Sequence, residues 1–194
     1  TLREVVKLCG RMACTWAEAL RLLAGLRPVF PQDAARLADI DIAAAVGLKF
    51  RSGYQILRFY ALREELAAAR PPARRRRLLA QMEALVRAEM EVDADLLPLA
   101  QRNSCLGFHS EAEGYKYFPE LIRWRQRQLG HLLTSEFPAV AARCDDPGPL
   151  FPRYTGTAAR DLARGKSGLT VSAGSAAVAA PDAPPQRCSG GAAA

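Results

Sequence analysis

Apolar and polar positions alternate along most of this chain with the three-to-four residue recurrence of amphipathic helices. From Leu2 to Leu26 the apolar set is Val5, Leu8, Cys9, Met12, Trp16, Leu20 and Leu23, and Pro28 and Pro31 close the stretch. Proline cannot continue a helix and restricts the residue before it. A second helix is predicted from a cap at Asp33 through Leu37, Ile40, Ala44 and Val46 to a stop at Gly47. Ser52-Gly53-Tyr54-Gln55 then spells a capping box, with Ser bonding forward and Gln back, ahead of Ile56, Leu57, Phe59, Tyr60, Leu62 and Leu66. That third helix ends before Pro71-Pro72, a short break that favours an antiparallel return.

The fourth predicted helix runs from Ala73 to Ala100, with Leu78, Leu79, Met82, Leu85, Val86, Val92, Leu96 and Leu99 inward and a kink or frayed end at Pro98. A fifth begins where Pro119 suits the first helical position and Glu120 suits the positive dipole end. It turns Leu121, Ile122, Trp124, Leu129, Leu132 and Leu133 to its apolar side and stops near Phe137-Pro138. The expectation is an all-α bundle of four to six helices over residues 1–144, followed by a Pro/Gly/Ala-rich, largely disordered tail over 145–194. No internal repeat stands out, nor any sustained strand alternation or coiled-coil heptad.

With 194 residues, 49% of them hydrophobic and 24% charged, the chain has enough apolar material for one core. Thr1 already leads into a helical pattern, so the chain reads as a fragment whose start lies upstream. No leader is visible at this end, and no run reaches the roughly 18 apolar residues that span a bilayer. The expectation is a soluble, cytoplasmic fragment with no membrane span and no cofactor.

The net charge of +7 invites a nucleic-acid reading. Against it, arginine outnumbers lysine 23 to 4 among abundant alanine, a bias expected of a GC-rich genome, and the basic residues are spread over several helices. The one run, Arg74-Arg75-Arg76-Arg77, opens a predicted helix, where the dipole disfavours cations. It reads as a solvated face first and as a grip for an acidic partner second. The five cysteines, Cys9, Cys14, Cys105, Cys144 and Cys188, form no CxxC pair and no ladder, so they read as buried small hydrophobes rather than a disulfide framework.

Function-capable groups concentrate between the fourth and fifth helices, from Asn103 to Pro119. His109, Glu111, Glu113 and Tyr115 gather there in a loop between rigid elements, the usual seat of binding residues. Imidazole and carboxylate oxygens suit a metal, but the HExxH spacing is absent and the only other histidine is His131. Glu111 and Glu113 match the minimal demand of glycoside hydrolysis, two carboxyls facing one sugar, as any Glu-x-Glu does. A structural reading is stronger: Gly107 and Gly114 make turns, while Phe108, Tyr115, Tyr117 and Phe118 pin the loop to the bundle. Binding of a sugar or peptide through Tyr115 and His109 comes next, and catalysis after that. On the fourth helix, Glu89 and Asp93 lie one turn apart and are expected to pair with arginines of a neighbouring helix. Trp16 and Trp124 read as packing anchors.

Leu106-Gly107-Phe108-His109-Ser110-Glu111-Ala112-Glu113-Gly114-Tyr115, with Phe118-Pro119-Glu120 and Trp124-Arg125 beyond it, resembles the C-terminal helical region of large bacterial glycoside-hydrolase-like proteins. The resemblance implies an accessory helical domain that packs against, or positions, an upstream carbohydrate-active domain. It transfers no catalytic residue to this chain and leaves carbohydrate as the implied ligand class. A different class of function, a stand-alone regulatory bundle engaging an acidic partner through Arg74 to Arg77, remains open beside it.

Overall fold

A computed structural model describes residues 2–107 and 117–151. The chain divides into two units, Thr1–Gly156 and Thr157–Ala194, and every described residue belongs to the first. Among the described residues the fold is all-α: α1 (Leu2–Ala24), a 3₁₀ turn (Arg27–Val29), α2 (Ala34–Ala68), α3 (Pro72–Arg102), a second 3₁₀ turn (Ser104–Gly107), α4 (Pro119–His131), a π turn (Leu132–Glu136) and α5 (Phe137–Ala142). α1 packs on α2, α2 on α3, and α3 on α4 and α5.

The helix starts follow the sequence. Asp33 caps α2 by accepting a hydrogen bond from the Arg36 N–H at 3.0 Å, and Pro72 and Pro119 open α3 and α4. The interior of α2 does not. The second and third predicted helices are one helix of 35 residues, unbroken at Gly47 and through Ser52–Gln55. Gly47 serves approach rather than termination. A Cβ there would lie 2.4 Å from Trp16 Cδ1 and 2.5 Å from Leu20 Cδ1, so only glycine lets α1 come this close. Trp16 is fixed in that contact by an indole N–H donated to the Ala43 carbonyl at 2.9 Å and by edge packing on Phe50. Ser52 and Gln55 are buried and face α3, so the residues of the expected capping box serve tertiary pairing instead.

The last helical stretch also runs on past its expected stop at Phe137-Pro138, to Ala142. The π turn lies immediately ahead of Pro138, and the Phe137 N–H bonds back to the Leu132 carbonyl, five residues earlier. That widening makes room where a proline ring would otherwise meet the carbonyl four residues before it. Pro98 is likewise carried inside α3, which continues to Arg102.

The core has two apolar clusters. One gathers Leu62, Leu66, Leu78, Met82, Val86 and Phe137, and the other Ala45, Leu96, Leu99, Ala100, Leu106 and Ile122. Along α2 and α3, the buried polar residues Ser52, Gln55, Glu89 and Asp93 fall between the two. The buried row of α3 steps regularly by four and three residues, Arg75, Leu79, Met82, Val86, Glu89, Asp93, Leu96 and Ala100. This seam is interrupted in sequence by charges, which hides its regularity from a count of apolar residues.

Three expectations change. Trp124 is nearly half exposed, so it is no core anchor. Of the four cysteines described, all free, Cys144 alone is buried, while Cys14 and Cys105 are exposed. Arg75 is 1% exposed and donates to the carbonyls of Ala69 (2.9 Å), Cys144 (3.3 Å), Asp146 (2.7 Å) and Gly148 (2.9 Å), while Arg76 pairs with Asp145. This arginine clamps the turn after α5 to the start of α3, and Leu150, two residues beyond Gly148, is buried in the first cluster.

Candidate functional site

The polar layer between the two apolar clusters is built by three helices. From α3, Glu89 and Asp93 point inward one turn apart, 6% and 0% exposed. From α4, Arg125 forks onto Asp93: its Nε donates to Oδ2 at 2.9 Å and its Nη2 to Oδ1, while Nη1 stands 3.3 Å from Glu89 Oε1. From α2, the Ser52 hydroxyl donates to Glu89 Oε1 at 2.5 Å. With its amide nitrogen toward Glu89, Gln55 donates to Oε2 at 2.5 Å and accepts from Arg51 Nε at 3.2 Å. The expected pairing of Glu89 and Asp93 with an arginine of a neighbouring helix is therefore present, and Arg125 is that arginine.

One guanidinium serves two carboxylates here. Burial is the larger influence on both and raises the Glu89 and Asp93 pKa values above the ordinary range, while hydrogen bonds from Ser52 to Glu89 and from Arg125 to Asp93 pull the other way. Arg125 feels burial too, but its bonds to Asp93 and the charges of Asp93 and Glu89 outweigh it and hold the guanidinium more firmly protonated. Buried ion groups of this kind are tolerated when geometry is good and the remaining polar atoms are bonded.

Beyond Arg125 the layer reaches the segment singled out from sequence. The Tyr117 ring lies 5.6 Å from Arg125 Cζ and 5.0 Å from Lys49 Nζ, within the range of cation–π attraction. Lys49 also donates to the Leu106 carbonyl at 2.6 Å, and burial lowers its pKa. A single lysine of α2 thus holds the chain on both sides of residues 108–116. His109, Glu111, Glu113 and Tyr115 themselves lie outside the described residues.

Glu89 also borders a cleft of about 130 Å³, lined with it by Gln55, Phe59, Leu85, Leu129 and Leu132. Ile56 and Tyr60, both exposed, also line it. Space of this order accommodates roughly one benzene-sized group. Among the described residues no three His, Cys, Asp or Glu side chains group to hold a metal ion, and no helix is long and apolar enough to cross a membrane.

Sequence reasoning missed Ser52 and Gln55, because a capping-box pattern is local and says nothing of what lies across the helix. The available signal was on α3: Glu89 and Asp93 continue the row of Met82 and Val86 into Leu96, so charges stand where the apolar period demands core. Compared with protein-family models, curated proteins and solved structures, the chain matches none.

Proposed function

We propose that this bundle is a non-catalytic helical accessory module that packs beside a carbohydrate-active domain and offers residues 108–116 to a carbohydrate. The observation that supports this reading is the anchorage of that segment. Lys49 grips Leu106 before it and Tyr117 after it, and Tyr117 in turn rests on the Arg125–Asp93–Glu89 layer. Loops founded on rigid elements are where binding residues concentrate. In this reading Tyr115 and His109 supply an aromatic surface and a ring nitrogen for sugar hydroxyls, and Glu111 and Glu113 accept hydrogen bonds. Glu89 and Asp93 are occupied by Arg125, Ser52 and Gln55, which suits a foundation better than a reacting pair. The carbohydrate itself comes from the sequence resemblance alone.

The test is titration of the full chain with neutral oligosaccharides, followed by NMR of the tyrosine and histidine side chains. The reading expects saturable shifts that vanish in Tyr115→Ala and weaken in Lys49→Met, with α-helical content kept in both. Absence of shifts with every glycan, or hydrolysis of aryl glycosides that is lost in Glu111→Gln, would sink it. The reading of an acidic partner at Arg74 to Arg77 is left with Arg74 and Arg77, since Arg75 is buried and Arg76 is paired. It predicts steeply salt-dependent binding.

A further inference from the structure

α1 carries two parallel, mostly apolar rows, and among the described residues only one is packed against the rest of the fold. The inner row, Val6, Cys9, Ala13, Trp16, Leu20 and Leu23, is buried or half-buried on the side where α2 approaches. The outer row is Val5, Leu8, Met12, Thr15, Ala19 and Leu22, with Leu26 in the turn that follows, and every one of these residues is exposed. Leu8 is 63% exposed and Leu22 74%. The steps along the outer row are three and four residues throughout, the spacing of a seam that faces another helix. From Val5 to Leu22 it is about 26 Å long at 1.5 Å per residue.

We propose that this row is the self-association seam of the protein, occupied by α1 of a second copy running antiparallel. The charges beside the row decide both the occupant and its direction. Along one flank stand Glu4, Arg11 and Glu18, seven residues apart and alternating in sign. In the antiparallel register that sets Val5 opposite Leu22, Leu8 opposite Ala19 and Met12 opposite Thr15, Arg11 of each copy lies beside Glu18 of the other, twice by symmetry. Sliding one copy by a heptad toward the N-terminus sets Arg11 against Arg11 and Glu4 against Glu18. Sliding it the other way sets Glu18 against Glu18. A parallel pair would bring the same flank against Cys9, Trp16 and Leu23, which offer no charge. One register alone therefore has matched charges, and the surface that matches is this chain's own.

Sedimentation equilibrium of the full chain tests this. The expected result is a concentration-dependent rise from 21.1 kDa toward twice that mass. Arg11→Glu alone, and Glu18→Arg alone, should each weaken self-association by about tenfold, because two attractions become two repulsions. An equal mixture of those two variants should restore association, as should the double variant Arg11→Glu/Glu18→Arg. The pair Leu8→Glu/Leu22→Glu should stay monomeric with unchanged helical circular dichroism, and the charge variants keep the test decisive should that pair misfold. A chain that remains at 21.1 kDa into the ~100 μM range overturns the proposal and assigns the row to some other partner. A dimer indifferent to both charge reversals overturns it as well.

Discussion

The middle of the bundle and its first helix invert the usual placement of residues in opposite directions. Between α2, α3 and α4 the core holds Glu89, Asp93 and Ser52 with Arg125 against them, while α1 turns Val5, Leu8, Met12 and Leu22 to water. The charges are tolerated inside because each finds a partner from another helix. The apolar residues outside have no such resolution among the described residues. Burial in this fold follows the completeness of pairing as much as hydrophobicity, and each region is a place where local pattern and tertiary outcome part.

The contrast is broken most severely by removing one partner from inside. Arg125→Met strands two buried carboxylates and is expected to cost about 3–5 kcal/mol in urea unfolding. The triple variant Glu89→Gln/Asp93→Leu/Arg125→Met should recover most of that loss, and failure to recover it would mean that the layer stabilises through more than charge compensation. Arg75→Met orphans the Ala69 carbonyl at the end of α2 and those in the turn after α5, with an expected loss of about 2–4 kcal/mol by the same measurement. Gly47→Ala tests the inner side of α1. The added methyl collides with Trp16, so any gain in helix propensity is overturned and the net cost is about 1–2 kcal/mol, read together with a change in Trp16 fluorescence.

A titration sharpens the comparison further. Glu89 and Asp93 have folded pKa values above their ordinary 4.5 and 3.8, so the folded state holds their protons more tightly than the unfolded chain does. Their favourable contribution is present below those values and fades as pH rises through the raised ones. Asp41 runs the other way: burial works against its ionised form, but hydrogen bonds from Arg27 and Arg102 prevail and lower its pKa, so its contribution is lost as pH falls below about 3.8. Together these groups should make stability highest near the ordinary carboxylate range and lower it as pH rises above 4.5, and Glu89→Gln should flatten that decline in thermal melts. The smallest effect belongs outside. In dilute solution Leu22→Gln should change stability by less than about 0.5 kcal/mol, since that side chain adds little to the isolated fold.

Much of the fold was legible because helix periodicity, the Asp33 cap and the prolines at 71, 72 and 119 are local signals with local consequences. The failures share a cause. Gly47 looked like a stop and Ser52 to Gln55 like a start, yet each residue is chosen by what stands across from it: Trp16 and Leu20 against Gly47, Glu89 against Ser52 and Gln55. Pro138 is accommodated by a turn geometry that no spacing rule announces. Within the candidate site, the Glu89 and Asp93 pairing was readable from their one-turn separation. Lys49 was not, because an isolated lysine carries no pattern until Leu106 and Tyr117 are brought to it.

The Arg75 clamp has a consequence for the order of events during synthesis. Its guanidinium emerges early, but three of its four acceptors, at Cys144, Asp146 and Gly148, follow some seventy residues later. Until the ribosome has delivered Gly148, α3 begins with a cation that it can neither bury nor leave bonded in the native way, so the growing chain is held short of its final packing. A translation pause that falls before Gly148 has left the exit tunnel would prolong the unfinished state, and one placed later would not.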